Sequence, residues 1–300
     1  MVIPKVAHSP LSGRCRKQSG RKGFTLVELL VVITVIAVLA SLLMPALSKA
    51  KAKANTAICL NNKRQLNVAW IAYSSDHDDK LAMNSVGSNP GFEVGISWVT
   101  GQMAWHVDVR DNTNSAYLTQ DEFSSLARYL GRSAKVFKCP ADNFLMKEMR
   151  ALGWEQRVRS VSMNYFLGAG SDAENARRKP SPPHNPVFVM MSEIRRPSAL
   201  INFIDEHPDS IDEKTFSVVT VVGSYSLGFP GNYHQKGAVF SFTDGHARLK
   251  RWTDGYRNVA VKFKGQQVTP TSVDGKRVEG TKDHTWLSDH LGEKPSAQSP

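Results

Sequence analysis

The sequence predicts an α+β chain: a long N-terminal α-helical stem, membrane-spanning in its first half and soluble in its second, followed by a head built on an antiparallel β-sheet. Three observations carry this. From Phe24 to Leu47 the chain is apolar apart from Glu28 and three hydroxyl side chains. Apolar residues then recur at spacings of three and four as far as Tyr73. From Val158 onward, short alternating runs are separated by turn residues. A chain of 300 residues that is 41% apolar and 22% charged can bury a sizeable core, which excludes collagen-like, coiled-coil-only and wholly disordered classes.

Residues 1–23 form a basic leader containing Lys5, Arg14, Arg16, Lys17, Arg21 and Lys22 and no acid. Those six cations and five more at Lys49, Lys51, Lys53, Lys63 and Arg64, less Glu28, supply nearly all of the net charge of +11, and the chain from Gln65 onward is close to neutral. A nucleic-acid-binding domain carries its excess charge on the folded body, so no nucleic-acid partner is expected. The 24–47 run, helical at 1.5 Å per residue, would reach about 36 Å and cross a hydrocarbon core of about 30 Å. Cations outnumber acids most strongly before it, which predicts a cytoplasmic N-terminus and an extracytoplasmic head. A secretory signal fits poorly, because the apolar run is too long and no A-x-A-like site closes it.

Beyond the span, Leu47, Ala50, Ala54, Ala57, Ile58, Leu66, Ala69, Trp70 and Tyr73 define one helical face, with Lys51, Lys53, Lys63 and Arg64 on the others. The stem is therefore drawn over residues 24–75, with Pro45 a local kink. The head covers 76–292, and the tail 293–300 is expected to be disordered. Within the head, Asp121–Leu130 reads as a short helix stopped by Gly131. Strands are predicted at Val158–Leu167, Val187–Ser192, Leu200–Asp205, Phe216–Val222, Ala238–Thr243, His246–Trp252 and Ala260–Phe263. The four prolines of 177–186 mark a loop. Asp244-Gly245, between two alternating runs, predicts a type I′ hairpin turn.

Glu28 is the anomaly of the apolar run, since a lone carboxylate at a membrane helix centre costs about 2.5–3.5 kcal/mol and calls for a partner. Its surroundings, Arg21-Lys22-Gly23-Phe24-Thr25-Leu26-Val27-Glu28 and the apolar run behind them, resemble the type IV prepilin signature. That resemblance implies cleavage between Gly23 and Phe24 by a membrane prepilin peptidase, which also methylates the new amine. It further implies a stem whose second half packs on the head, and a pseudopilin-like subunit of a type II secretion pseudopilus or type IV-like filament. Such a subunit sits in the inner membrane as a single-pass protein with a periplasmic head, and its partners are other pseudopilin subunits. Glu28 lies one helical turn from Phe24, and pairing with the Phe24 amine of a neighbouring subunit would offset both charges and set the stagger. His234, nine residues and then Asp244-Gly245 resemble the H-x9-DG signature of a bacterial prepilin-like family, as do Cys139-Pro140-Ala141-Asp142 and the Cys59-x-x-Asn62-x-x-Gln65 pattern. The family brings no enzymatic activity with it.

With Cys15 in the leader, Cys59 and Cys139 remain as an extracytoplasmic pair, which predicts a disulfide between stem and head; two buried free thiols are the alternative. His207, His234, Asp244 and His246 are the right types for zinc but follow no closed-site spacing, so turn and core roles and no metal are expected. Asp76-His77-Asp78-Asp79 offers oxygens to calcium without the spacing of an EF-hand, and a solvated helix end is the simpler reading. No G-x-S-x-G, H-E-x-x-H, P-loop or Rossmann glycine set occurs, and Glu193, Asp205 and Glu206 are the sort of carboxylates any head of this size contains. No catalytic residue and no cofactor are therefore assigned. Two other classes stay open: an anchored binding protein presenting Trp98, Trp105 or Trp154 to a glycan or envelope component, and a metal-dependent hydrolase on the same stem.

Overall fold

The structure, a computed structural model, describes residues 23–84, 97–168, 187–211, 215–216, 228–263, 272–273, 276–277 and 280–292. The leader, the 177–186 loop, the tail and most of the strand expected at Phe216–Val222 lie outside the described residues. The chain divides into two compact units, Met1–Ser48 and Lys49–Pro300.

Helix α1 runs from Leu26 to Asp76, 51 residues, and continues through Pro45. Its first turn is closed reciprocally: Thr25 Oγ1 accepts from the Glu28 N–H (3.2 Å), while Glu28 Oε2 accepts from the Thr25 N–H (2.8 Å) and hydroxyl (2.7 Å). This is a capping box, which satisfies two backbone donors that helix geometry leaves unpaired. Thr34 and Ser41 donate back to the carbonyls of Val31 and Val38 (2.8 and 2.7 Å), so neither hydroxyl brings an unmet donor into the apolar run. Among the described residues, α1 is the one helix long and apolar enough to cross a membrane.

In the second unit the remainder of α1 buries Cys59, Asn62, Lys63, Leu66, Asn67, Ala69, Trp70 and Ser74, a stripe of the predicted period. One member departs from expectation. Lys63, placed by the sequence on a solvated face, is completely buried, whereas Arg64 is exposed.

The stripe covers a five-stranded sheet in the order β3-β1-β2-β4-β5, formed by β1 (Val161–Asn164), β2 (Ile201–Asp205), β3 (Thr215–Phe216), β4 (Gly237–Phe242) and β5 (Ala247–Arg251). The four strands β1, β2, β4 and β5 pair antiparallel, and the two-residue β3 joins β1 in parallel. A small hairpin, β6 (Ser272–Val273) and β7 (Lys276–Arg277), stands apart from that sheet. The α+β class is as predicted, and so is the packing of the soluble half of the stem on the sheet. Asn67 fastens the two, donating to the Phe242 carbonyl (2.6 Å) and accepting from Asn202 Nδ2 (2.6 Å).

Between β2 and β4 the register slips: Ile201 pairs with Phe242, but Ile204 pairs with Phe240. Asn202 and Phe203 therefore together oppose the single residue Ser241, and both turn to the α1 side. Ile201 and Ile204 enter the opposite core with Phe240, Phe242, Trp252, Leu287 and Leu291. The slip also puts Asp205 on the α1 side, where it meets Lys63. Period-two reading without the slip would place Asp205 on the face of Ile201.

Several local expectations are corrected. Asp121–Leu130 is a series of turns ending in a 3-10 helix at Arg128–Leu130, because Asp121 pairs with exposed Arg132 (2.8 Å) instead of capping a first turn. Gly131 does stop it, with φ +58°. Val187–Ser192 makes single bridges, Phe188 with Leu167 and Met190 with Lys80, before a 3-10 turn. Ala260–Phe263 is not a strand. Short helices α2 (Ala116–Thr119) and α3 (Lys147–Ala151) and a ten-residue α4 (Lys282–Leu291) were not anticipated. Helix α4 carries the local signals for one: Thr281 caps the His284 N–H, Leu287 and Leu291 face the core, and Gly292 ends it.

The β4–β5 turn is not type I′, since Gly245 (φ +102°) alone among its residues has a positive φ. The Gly245 N–H donates to Phe242 O and the Phe242 N–H to His246 O (both 2.9 Å), which is a four-residue turn closed by a left-handed glycine. A Cβ on Gly245 would meet Ile71 Cδ1 no closer than 3.9 Å, so the cost of a side chain there is conformational rather than steric crowding. Gly245→Val is expected to destabilise the head by about 1–3 kcal/mol. His246→Ala, which removes a half-exposed ring stacked on Phe242 at 4.1 Å, should cost less. Melting curves of the two variants in detergent provide the comparison, and an equal or larger shift for His246→Ala would contradict it.

Candidate functional site

The residues singled out in the sequence fall into three places. Gly23, Phe24 and Glu28 lie at the start of α1, with Phe24 exposed and Glu28 held in the capping box. Asp244 and Gly245 form the β4–β5 turn, where Asp244 Oδ1 accepts from the His246 N–H (3.1 Å) and meets His246 Nδ1 (2.7 Å). Cys59, Cys139 and His234, separated by up to 175 positions, come together in the second unit. His234 is therefore parted from His246, and His207 stacks elsewhere on Phe229 (4.5 Å). The histidine set considered from sequence is not one site.

The third place is a buried polar cluster. Helix α1 supplies Cys59 and Lys63 one turn apart. The segment after the 3-10 helix Ala134–Phe137 supplies Cys139, anchored by its N–H donating to Ser160 Oγ (2.7 Å). The end of β2 supplies Asp205. His234 comes from the tight turn into β4, where Gln235 and Lys236 have positive φ and the His234 N–H donates to Gly237 O (3.1 Å). Cys59, Cys139, Asp205 and His234 are all buried, and one ligating atom from each lies within 4.8 Å of the others.

The contacts inside are specific. Cys59 Sγ donates to Asp205 Oδ2 (2.9 Å), and Cys139 Sγ lies 3.2 Å from His234 Nε2. The same Nε2 is 3.6 Å from Asp205 Oδ2, whose other oxygen takes the Lys63 ammonium at 2.6 Å. Burial alone would raise the Asp205 carboxyl, but Lys63, His234 and Cys59 outweigh it and hold it at about 2. Burial would likewise raise Cys139, yet hydrogen bonding from Cys59 and His234 brings it down to about 7. Burial opposes charge on His234, and its bonds to Asp205 and Cys139 raise it to about 9. Burial pushes the Cys59 thiol well up. The expected disulfide is not formed: both cysteines are free thiols, with Cys59 directed at a carboxylate and Cys139 at an imidazole.

From sequence Asp205 is one carboxylate among several and Lys63 is not a candidate site residue; Thr56, whose Oγ1 lies 3.1 Å from His234 Nδ1, is not one either. A carboxylate closing the largely apolar run Leu200-Ile201-Asn202-Phe203-Ile204 is the available signal for Asp205. The tryptophans proposed for glycan contact do not present an exposed patch: Trp98 is fully buried, while Trp105 and Trp154 are half-buried and Trp105 lies under the Arg157 guanidinium (4.1 Å). Two of the three acids at the C-terminal end of α1 make fastening contacts, Asp76 accepting from Tyr129 Oη (2.9 Å) and Asp79 from the Ser192 N–H (3.0 Å).

A family description, the prokaryotic N-terminal methylation motif, matches residues 18–44. The chain thus carries a prepilin-type motif on an apolar helix followed by an α+β head, which supports a processed, membrane-anchored subunit of type IV pilin-like kind. No curated protein and no solved structure matches the chain.

Proposed function

We propose that this protein is a pseudopilin-like structural subunit of a type II secretion pseudopilus or a related type IV-like filament, and that its work is assembly, not catalysis. The observation that carries the reading is the methylation motif at residues 18–44, laid across the junction of a basic leader and an apolar helix. A prepilin peptidase cleaves after Gly23 and methylates the Phe24 amine. The precursor sits in the inner membrane with its N-terminus in the cytoplasm and its head outside, in keeping with the cation excess before the span. In the filament, Glu28 of one subunit pairs with the Phe24 ammonium of another, a charge-assisted bond in a medium without water. The H-x9-DG segment then serves the head itself: His234 reaches the buried cluster and Asp244-Gly245 turns the β4–β5 hairpin.

Mass analysis of the N-terminal peptide from cells with a prepilin peptidase tests the reading. The expected mature chain begins at Phe24 and carries one additional methyl on its amine. Replacing Gly23 by a bulky residue should leave the precursor uncut. A mature N-terminus near Ser48 would replace this reading with that of an ordinary secreted protein.

A further inference from the structure

We infer that Cys59, Cys139, Asp205 and His234 form a closed structural zinc site that pins the soluble half of α1 to the sheet. The sequence suggested turn and core roles and no metal for His207, His234, Asp244 and His246, which follow no closed-site spacing; the set Cys59, Cys139, Asp205 and His234 is gathered only by folding.

The first argument is geometric. Four potential ligand atoms converge on one point: His234 Nε2 faces both Cys139 Sγ (3.2 Å) and Asp205 Oδ2 (3.6 Å), and Asp205 Oδ2 also faces Cys59 Sγ (2.9 Å). Zn–S bonds of about 2.3 Å and Zn–N or Zn–O bonds of about 2.0–2.2 Å imply tetrahedral edges of about 3.3–3.8 Å. The observed separations lie near that range, and the whole set lies within 4.8 Å. A catalytic Cys-His-Asp arrangement is built differently, with the acid on the ring nitrogen remote from the nucleophile. Here cysteine and carboxylate address the same nitrogen, in a fully buried place.

The second argument comes from the groups behind the ligands. Thr56 Oγ1 donates its proton to Ala52 O (2.9 Å), so at its 3.1 Å contact with His234 Nδ1 it acts as acceptor. That places a proton on Nδ1 and turns the lone pair of the neutral ring, on Nε2, toward the cluster. Lys63 occupies Asp205 Oδ1 and leaves Oδ2 as the inward ligand. The Ala141 N–H donates to Cys139 Sγ (3.4 Å), a bond that favours thiolate. The third argument is charge. One Zn2+, two thiolates, the Asp205 carboxylate and the Lys63 ammonium sum to zero, as a buried site requires. Binding is not redox chemistry: Cys59 and Cys139 bind as thiolates and His234 as a neutral ring, so their S–H and Nε2–H protons leave to water as two Zn–S bonds and one Zn–N bond form. Two sulfurs with one nitrogen and one oxygen suit zinc rather than calcium or magnesium.

The full chain, purified in detergent without added metal or chelator, tests this by elemental analysis together with thiol mapping. About one zinc ion per chain is expected, falling below about a tenth in Cys139→Ser and His234→Ala. Exchange of the wild-type chain into cobalt(II) should give the intense absorption of tetrahedral thiolate-bound cobalt. That spectrum decides the matter if the variants do not fold. A Cys59–Cys139 disulfide in the purified chain, free thiols without metal and without a cobalt spectrum, or full zinc retention by folded Cys139→Ser would each overturn the site. None of these results bears on cleavage at Gly23, so the filament reading stands or falls separately.

Discussion

Glu28→Ala is expected to be inserted and cleaved like the wild-type chain but to yield at least about tenfold fewer filaments, since charge-assisted hydrogen bonds are worth about 1.5–3 kcal/mol and about 1.4 kcal/mol is a factor of ten. Removing a carboxylate makes the span more apolar, so insertion does not suffer. The structure adds a complication and a way around it. Glu28 Oε2 accepts from both the N–H and the hydroxyl of Thr25, so the residue also caps its own helix. Glu28→Gln keeps an acceptor for the cap and discards the charge. If the partner is the Phe24 ammonium of a neighbour, both variants fail to assemble. If capping were the whole role, Glu28→Gln would assemble normally while Glu28→Ala would not. Counting sheared filaments from cells expressing each variant, with processing checked by mass, separates these outcomes.

The second large effect is expected at Lys63. Its ammonium lies 2.6 Å from Asp205 Oδ1, with both side chains at most 1% exposed. Lys63→Met should destabilise the head by about 3–5 kcal/mol, because a carboxylate is left buried without its strongest compensating charge. The lower end of that range applies if His234, 3.6 Å from the same carboxylate, takes over part of the compensation. Arg64→Met, one position on and exposed, should change stability by less than about 0.5 kcal/mol. Pairing Lys63→Met with Asp205→Leu should recover only part of the loss, since it removes the ion pair as a unit but also takes the Asp205 carboxylate from Cys59 and His234. Denaturant midpoints give all three values, and near-equal effects of Lys63→Met and Arg64→Met would refute the assignment. The pair also predicts an acid limit. Asp205 is held at about 2 against an ordinary 3.8, so its contribution is complete above pH 3.8 and disappears as the pH falls through about 2.

By itself the amino-acid sequence determined the features whose cause is local. The apolar run and its basic leader mark a membrane segment, because crossing lipid is a matter of length and composition. Period-3.6 and period-2 patterns located α1 and strands β2, β4 and β5, and the Gly23-Phe24…Glu28 spacing resembled the prepilin-type motif that a family description matches over residues 18–44. Even a local reading failed where two devices share one signature, as at the hairpin, where Asp-Gly suits a type I′ turn but Gly245 alone takes the positive φ. Only the tertiary structure decided what the charged and sulfur-bearing residues of the head do. Nothing near Lys63 in sequence distinguishes it from Arg64; its partner lies 142 residues away, and a register slip in β2 turns that partner toward α1. Cys59 meets Asp205 across 146 residues, and Cys139 meets His234 across 95. Burial of such groups is set by what the rest of the fold brings against them. Water solvates each of them in the extended chain, and only a packed core makes an ammonium, a carboxylate, an imidazole and two thiols satisfy one another.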